Sequence, residues 1–317
     1  MKKTYKEVLL DPSISYSTMT EYQPMPKYLY KYQEFYSKEG KENIFWQQNI
    51  KGSFHLSLGS EFEDYNDCKP FMDKNNIWRI IEDFLLKCCS DKMDNKKLRK
   101  IKNEMEDVLT PEYFEDVASN YRNQIRIGCF TKSADNLDMW EKYSNARTGF
   151  CIEYQTEENE LFRYSTLPVL YSDKPYDSSL SLACSIILDV FQKAKGRSLE
   201  ENLKIFESIY AKMLKTAYIP LFIKEINHWS FEEEYRMFLL KHRKTQIGML
   251  KSDEILDKNY NINLSKDITA VYLGENFDKN KHYEAIKSEI IQMAEEMKFK
   301  VFQKRCDCNK YINDRIL

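Results

Sequence analysis

No stretch of this sequence has the length and apolar character needed to cross a bilayer, for which about 18 consecutive apolar residues are required. The chain also opens without the basic and apolar segments of a signal peptide. No internal repeat, low-complexity linker or abrupt shift in composition divides it. We therefore expect a cytoplasmic protein that associates with no membrane.

An excess of charge of either sign is missing as well. The chain has 48 basic and 50 acidic residues, which leave a formal net charge of -2. This balance provides no bulk electrostatic attraction for nucleic acid or for an anionic membrane surface.

Patterns that bind metals or form disulfides are also poorly represented. The eight cysteines are scattered along the chain, and there are only four histidines. Cys88 with Cys89, and Cys306 with Cys308, have no second matching pair nearby, as a four-ligand zinc site would need. We expect reduced thiols and no metal site.

Three familiar catalytic signatures are absent from the sequence: Gly-x-x-x-x-Gly-Lys, Gly-x-Ser-x-Gly and His-Glu-x-x-His. These patterns are typical of P-loop NTPases, α/β-hydrolases and zinc proteases. The sequence therefore indicates none of these classes.

What the chain does contain is a large proportion of core-forming residues. Hydrophobic residues make up 42% of it and aromatic residues 14%, which predicts a globular protein rather than a disordered one. A two-residue alternation predicts strands and a 3.6-residue period predicts helices. The predicted strands are 28–32, 53–57, 125–131, 149–154, 169–171, 268–273 and 298–303, and the predicted helical segments are 75–124, 178–218 and 279–297.

This order of elements predicts an α+β fold with a central mixed, mostly antiparallel sheet and helical insertions at about 75–124 and 178–218. Residues 1–27 are expected to form an irregular N-terminal arm, and residues 28–317 a single domain. The strands at 125–131, 149–154 and 169–171 are expected to pair with one another.

Local sequence signals indicate where helices begin within the two insertions. Thr110 followed by Pro111 predicts an N-cap with proline at the first helical position. Ser198 with Glu201 resembles a capping box after a break at 196–198.

The most unusual stretch contains three consecutive glutamates, Glu232 to Glu234, ahead of a strand-like run. If the strand begins at Glu232, side-chain alternation places Glu232, Glu234 and Arg236 on one face. Two carboxylates on one face repel each other unless a positive charge compensates them. Lys224 and Arg236 could do so in a structural ion-pair network, and a cationic substrate could do so in an active site.

Several short motifs occur together in one order along the chain. They are Tyr30-Lys-Tyr32, Asn66-Asp67, Cys129-Phe130, Met139-Trp140 with Tyr143, Gly149-Phe-Cys-Ile-Glu153, Val169 with Tyr171, Lys224, and Trp229-Ser-Phe-Glu-Glu-Glu-Tyr-Arg236. As a set they resemble the bacterial family called domain of unknown function 2971, over about residues 28 to 305. The early loop departs from the family's usual Asn-Asp-Pro-Phe, because Cys68-Lys69 lies between Asp67 and Pro70-Phe71, which puts a tight turn there in doubt.

The resemblance implies more about architecture than about activity. Members resemble phage-resistance and abortive-infection proteins, and the order of motifs is similar to that of ADP-ribosyltransferases. The resemblance therefore implies an ADP-ribosyltransferase-like fold. It also implies the activity of an NAD-dependent ADP-ribosyltransferase or NAD glycohydrolase in a defence setting. NAD would be the substrate, the acceptor would be a protein or a nucleic acid, and a defence-system partner protein could control the activity.

The same similarity implies roles for individual residues. Glu234 would bind the reacting ribose and stabilise the oxocarbenium-like state, and Glu232 would orient the acceptor. Lys31 or Arg236 would meet the NAD pyrophosphate. Tyr32 and Trp140 would stack on the ligand, and Tyr143 would complete the walls of the catalytic site.

Each of these residues also has a structural interpretation. Tyr32, Trp140 and Tyr143 suit a hydrophobic core, because aromatic residues dominate core burial. Arg236 could neutralise Glu234 instead of binding a phosphate. Glu153 could be the structural partner of Arg147 or Arg236.

Rival functions from other classes remain open. Asp67, Glu153, Glu232 and Glu234 could hold magnesium in a nuclease, although the neutral overall charge disfavours phosphate attraction. A sensor or antitoxin-like binding protein would use the charged strand only to hold its fold. Catalysis by a strand cysteine such as Cys129 or Cys151 is a further alternative.

Overall fold

The computed structural model describes residues 3–14, 22, 25–89, 94–193, 209, 213, 215–240, 260–307 and 310–317. Its chain contacts divide into two compact units. The helical unit comprises Met1–Gln23, Leu58–Gln124 and Leu170–Glu225, and the sheet unit comprises Pro24–Ser57, Ile125–Val169 and Ile226–Leu317. Both predicted helical insertions fall in the helical unit, and the grouping of 28–317 as one domain stays a prediction.

Thirteen strands are described, and most of them belong to the sheet unit. In chain order they are β1 (Tyr28–Gln33), β2 (Ser53–His55), β3 (Ser57–Leu58), β4 (Ile125–Thr131), β5 (Phe150–Gln155), β6 (Thr166–Pro168), β7 (Leu170–Ser172), β8 (Ile223–Glu225), β9 (Glu234–Leu240), β10 (Asn261–Asn263), β11 (Ile268–Leu273), β12 (Lys300–Asp307) and β13 (Lys310–Arg315).

The large sheet of the sheet unit runs in the order β13-β12-β11-β5-β1-β4-β9-β6. The pairing of β11 with β12 is parallel, whereas the other neighbours along this path are antiparallel. The prediction of an α+β fold with a mixed, mostly antiparallel sheet is therefore confirmed. Helices of the same unit are Trp46–Ile50, Leu137–Tyr143, Glu160–Ser165, Ile226–Trp229 and Tyr283–Met297.

The two faces of this sheet differ in character because successive side chains of a strand point to opposite sides. One face packs the main hydrophobic core, to which β1, β5 and β11 contribute Leu29, Ile152 and Val271. The other face, here called the aromatic face, carries Tyr32 and Tyr272 from β1 and β11. Polar groups of the candidate site lie on this aromatic face.

The helical unit is built mainly from helices Tyr5–Leu10, Lys74–Cys89, Asn95–Val108, Pro111–Arg122 and Ser179–Lys193. Its core includes Ile77, Ile81 and Ile187. The N-cap prediction is confirmed, because the Thr110 hydroxyl accepts a hydrogen bond from the Tyr113 amide at 3.2 Å. Strands β7 and β8 pair in parallel in this unit.

Three details of the predicted organisation were wrong. The strands at 125–131 and 149–154 do not pair with each other, because β1 lies between β4 and β5, and β7 pairs with β8 instead. The N-terminal arm contains a helix, Tyr5–Leu10, whose N-cap Thr4 forms a capping box with Glu7. A final strand, β13, follows β12 and was missed. Side-chain alternation predicts which face is buried but not which strand is the neighbour.

The second signal in the 178–218 insertion, the break at 196–198 with Ser198 and Glu201, lies outside the described residues.

Candidate functional site

The three consecutive glutamates do not all belong to a strand. Ser230–Glu232 form one turn of 3-10 helix, and Glu233 adopts a left-handed conformation with φ 42° and ψ 49°. Strand β9 begins only at Glu234, so the prediction of a strand from Glu232 was wrong. The left-handed residue redirects the chain, and strand alternation therefore does not determine where the Glu232 side chain points.

Glu234 and Arg236 lie on one face of β9, as alternation predicts. The Arg236 Nε donates to Glu234 Oε1 at 2.7 Å, and the Arg236 Nη2 donates to Glu234 Oε2 at 2.9 Å. Glu234 is 5% exposed and Arg236 is 0% exposed. This two-point pairing is the strong form of carboxylate recognition by arginine. Arg236 thus neutralises Glu234, which was one of its two predicted roles.

Glu232 has a different partner. The Tyr143 hydroxyl donates a hydrogen bond to Glu232 Oε1. Glu232 is buried, whereas Tyr143 is exposed over 36% of its surface. Burial, followed by the nearby charge of Glu232, raises the pKa of Tyr143. Tyr143 therefore stays protonated and remains a hydrogen-bond donor to this carboxylate.

Tyr32 and Trp140 are packed in the interior of the sheet unit. Their rings meet edge to face with centroids 4.9 Å apart, and they are 4% and 0% exposed. The Tyr32 hydroxyl donates to the Ser133 carbonyl at 3.0 Å, and the Trp140 indole N–H donates to the Ala134 carbonyl at 2.8 Å. This arrangement matches the core interpretation, and a stacking role toward a ligand stays a prediction.

Lys31 is separated from the other predicted residues by the geometry of β1. Its ammonium lies 5.8 Å from the centroid of the Phe54 ring, and Phe54 belongs to the main hydrophobic core. Tyr32, the next residue, belongs to the aromatic face. The structure therefore brings together Glu232, Glu234, Arg236 and Tyr143, and it directs Lys31 to the other face of the sheet.

A third buried glutamate, Glu153, lies on the aromatic face. It accepts hydrogen bonds from the hydroxyls of Tyr30 at 3.0 Å, Tyr272 at 2.8 Å and Thr269 at 2.6 Å. Among the described residues, these three hydroxyls take the place of the predicted arginine partner. Burial and the charge of Glu153 raise the pKa of both tyrosines, which keeps them protonated as donors.

Arg147, the arginine predicted for Glu153, pairs with Glu141 at 3.0 Å and with Glu275 at 3.1 Å. The motif residues Gly149 to Glu153 indicated that Glu153 matters, but its hydroxyl donors come from β1 and β11. No local sequence signal could connect them.

A further polar group, the hydroxyl of Thr131 on β4, adjoins Glu234. Thr131 is the Cα partner of Glu234 on β9 and of Tyr30 on β1, so the three side chains share a face. The Thr131 hydroxyl is buried and has no hydrogen-bond partner among the described residues. A buried hydroxyl without a partner is uncommon and indicates a place for a bound water or ligand group.

The nearby thiol of Cys129 is not suited to nucleophilic attack. Burial, followed by the charge of Glu234, raises the pKa of Cys129, so the thiol stays protonated near neutral pH. Burial likewise raises the pKa of Cys151. The cysteine hypothesis has no support from this geometry.

The four acidic residues of the magnesium hypothesis are divided between the units. Asp67 belongs to the helical unit, and its carboxylate lies 3.5 Å from the Lys224 ammonium. Glu153, Glu232 and Glu234 belong to the sheet unit. Within the part of the chain that the structure describes, no group of three or more His, Cys, Asp or Glu side chains is placed to hold a metal ion.

The tight turn that was in doubt is present in the early loop. The Asp67 amide donates to the Asp64 carbonyl at 3.1 Å, and the Lys69 amide donates to the Asn66 carbonyl at 3.3 Å. Cys68 makes this possible by adopting a left-handed conformation with φ 58°.

The fold and this cluster define an α+β protein with a mixed sheet and buried carboxylates on one of its faces. Residues 139–237 match the model of a family described as "Protein of unknown function (DUF2971)". The resemblance inferred from the sequence motifs is confirmed over these residues, which include Tyr143, Glu153, Glu232, Glu234 and Arg236.

No curated protein and no solved structure matches the chain. In the described residues, no helix is both long enough and apolar enough to cross a membrane.

Proposed function

We propose that this chain is an NAD-consuming enzyme that transfers ADP-ribose to an acceptor or to water, as a phage-defence effector would. The observation that carries the proposal is the buried Glu232 carboxylate, held by the hydroxyl of the partly exposed Tyr143. A desolvated carboxylate with a fixed orientation can stabilise a developing positive charge far better than one in water.

The reaction requires such a carboxylate. The bond between the ribose anomeric carbon and the nicotinamide nitrogen breaks, and its electron pair leaves with neutral nicotinamide. The anomeric carbon becomes oxocarbenium-like, and an oxygen of water or of the acceptor forms the new bond and loses its proton.

The geometry changes the roles predicted for Glu232 and Glu234. Both oxygens of Glu234 are bound by Arg236, so the charge of Glu234 is already compensated. Glu232 is bound by the hydroxyl of Tyr143, a side chain that reaches the surface, and on that ground we assign the stabilisation of the transition state to Glu232. To Glu234 we assign the positioning of the strand end beside it. Thr131 supports a substrate near Glu234, because its buried hydroxyl has no hydrogen-bond partner in the part of the chain that the structure describes.

Glu232→Gln is expected to leave NAD binding nearly unchanged and to reduce nicotinamide release at least about 100-fold, which corresponds to about 3 kcal/mol of barrier. Glutamine keeps the shape of the side chain and removes its charge. Isothermal titration measures NAD binding, and chromatography of the same samples measures released nicotinamide.

Glu233→Gln is the matched control, because Glu233 is adjacent in sequence but partly exposed, and it pairs with the exposed Lys132. Its NAD binding and nicotinamide release should equal those of the wild-type protein. Failure of the wild-type protein to bind NAD or to release nicotinamide would refute the proposal. Equal losses of nicotinamide release in the two variants would also refute it. Either result would favour a structural role for the glutamates in a sensor or binding protein.

Thr131→Val is expected to weaken NAD binding about 2- to 10-fold, the usual effect of one hydrogen bond. It should not lower the free energy of unfolding, because the hydroxyl has no hydrogen bond to lose within the described residues. Titration of NAD and urea unfolding of the same protein check the two effects.

Thr269→Val is the control for this substitution. The Thr269 hydroxyl donates to Glu153 at 2.6 Å, so its removal should cost about 1 to 3 kcal/mol of stability. A loss of stability in Thr131→Val comparable to that in Thr269→Val would mean that Thr131 has an internal structural role.

A further inference from the structure

The helical unit contains a cavity of about 550 Å³, within the size range of small-molecule sites. It is formed by segments within 64–72, 111–115, 172–176 and 220–225, all of which belong to the helical unit. The cavity therefore shares no residue with the glutamate cluster proposed to act on NAD.

The charge of the lining is unbalanced. Five carboxylates line the cavity against three ammonium groups, a net charge of -2. Two of the three ammoniums are held by lining carboxylates, since Lys69 pairs with Glu115 at 2.8 Å and Lys224 pairs with Asp67 at 3.5 Å. The field inside the cavity therefore favours a positively charged ligand and disfavours a phosphate or carboxylate.

The remaining wall is apolar and partly aromatic. Phe71, Phe114 and Tyr176 line the cavity together with several prolines. Phe71 is exposed over 50% of its surface, which is a large exposure for a phenylalanine. An accessible aromatic ring attracts cations through its quadrupole, and it also offers apolar area to a carbon skeleton.

The loop that carries the buried acid is held in a strained conformation. Asp67 is 5% exposed, and the following residue, Cys68, has a φ of 58°. A left-handed conformation costs a non-glycine residue free energy, and such strain is concentrated at ligand-binding sites. The loop thus presents a fixed pair, Asp67 with Lys224, at the wall of the cavity.

We propose that this cavity binds a small organic cation, an amine or guanidinium on a short carbon skeleton. The carbon skeleton lies against Phe71, and the charged group faces the carboxylates, with Asp173 at the exposed rim. The proposal does not depend on NAD chemistry, because it uses none of the residues of that site.

The test uses the full chain and two probes, spermidine and agmatine, with AMP as an anionic comparison. Isothermal titration should show saturable binding of at least one cation, no binding of AMP, and an affinity that falls as ionic strength rises. Phe71→Ala and Asp173→Asn should each lower the cation affinity by about 2- to 5-fold.

Phe45→Ala is the matched control, because Phe45 is a phenylalanine of similar exposure, 56%, in the sheet unit. It should leave cation binding unchanged. Absence of binding by both cations would overturn the proposal, as would preferential binding of AMP. Cation affinity that is unchanged in both Phe71→Ala and Asp173→Asn would also overturn it, because the binding would then be non-specific attraction to the surface.

Discussion

Replacing Arg236 by methionine should lower the free energy of unfolding by about 3 to 5 kcal/mol, the cost of removing one partner of a buried ion pair. Arg236 is fully buried and holds both oxygens of Glu234. Methionine fills similar space but leaves the Glu234 charge without its counter-charge in a desolvated position. Urea unfolding followed by circular dichroism measures the loss.

Two control variants separate the charge effect from general damage. Arg305→Met removes an exposed arginine that pairs with Asp314 at 3.2 Å, and it should cost no more than about 1 kcal/mol. The double variant Glu234→Leu with Arg236→Met should recover much of the loss, because a buried ion pair can be replaced by apolar residues at little cost. A small effect of Arg236→Met, equal to that of Arg305→Met, would contradict this account.

Gly149→Ala should destabilise the sheet unit by about 3 kcal/mol, at the upper end of overpacking costs. A Cβ added at Gly149 would lie 2.1 Å from the Gln33 carbonyl oxygen and 2.9 Å from the Ser144 Cβ. The first of these atoms is backbone and cannot rotate away. The carbonyl of Gly149 also accepts a hydrogen bond from the Gly274 amide at 2.9 Å, so a shift of one segment disturbs the other.

Gly40→Ala provides the comparison for this variant. Gly40 has a φ of 76°, and an added Cβ would meet no atom within 4 Å. Alanine there should cost only the conformational penalty of about 1 to 2 kcal/mol. Thermal unfolding of the two variants checks the difference, and equal losses would show that close packing at Gly149 is not limiting.

Gly149→Ala is also expected to disturb the candidate site, because Gly149 adjoins β5. Gly149 precedes this strand, which carries Glu153, and follows the loop after Tyr143. The Gly149 amide donates to the Ser144 carbonyl at 2.8 Å. The tight approach of Gly149 therefore links the helix of Tyr143 to the strand of Glu153, which explains why glycine suits this position.

Much of the architecture could be predicted because it depends on local periodicity. The alternation of apolar residues predicted β1, β4, β5 and β11 close to their observed bounds. The 3.6-residue period and Thr110 with Pro111 predicted the helices of 75–124. Alternation also predicted that Glu234 and Arg236 share a face, since both lie inside β9.

The partners of the charged groups could not be predicted, because they are brought together from distant segments. Glu232 lies outside the strand as a result of the left-handed Glu233, and its hydroxyl partner Tyr143 is 89 positions away in the chain. Glu153 is satisfied by hydroxyls from β1 and β11, not by the arginine that its charge suggested.

The amino-acid sequence determined the elements, the buried side of each strand and the residue types available for chemistry, since these follow from side-chain size, polarity and period. The order of strands in the sheet, the pairing of each buried charge and the cavity beside Asp67 depended on tertiary structure. Burial is the reason for the difference, because a desolvated charge needs a partner and long-range packing decides which group is near enough to be that partner.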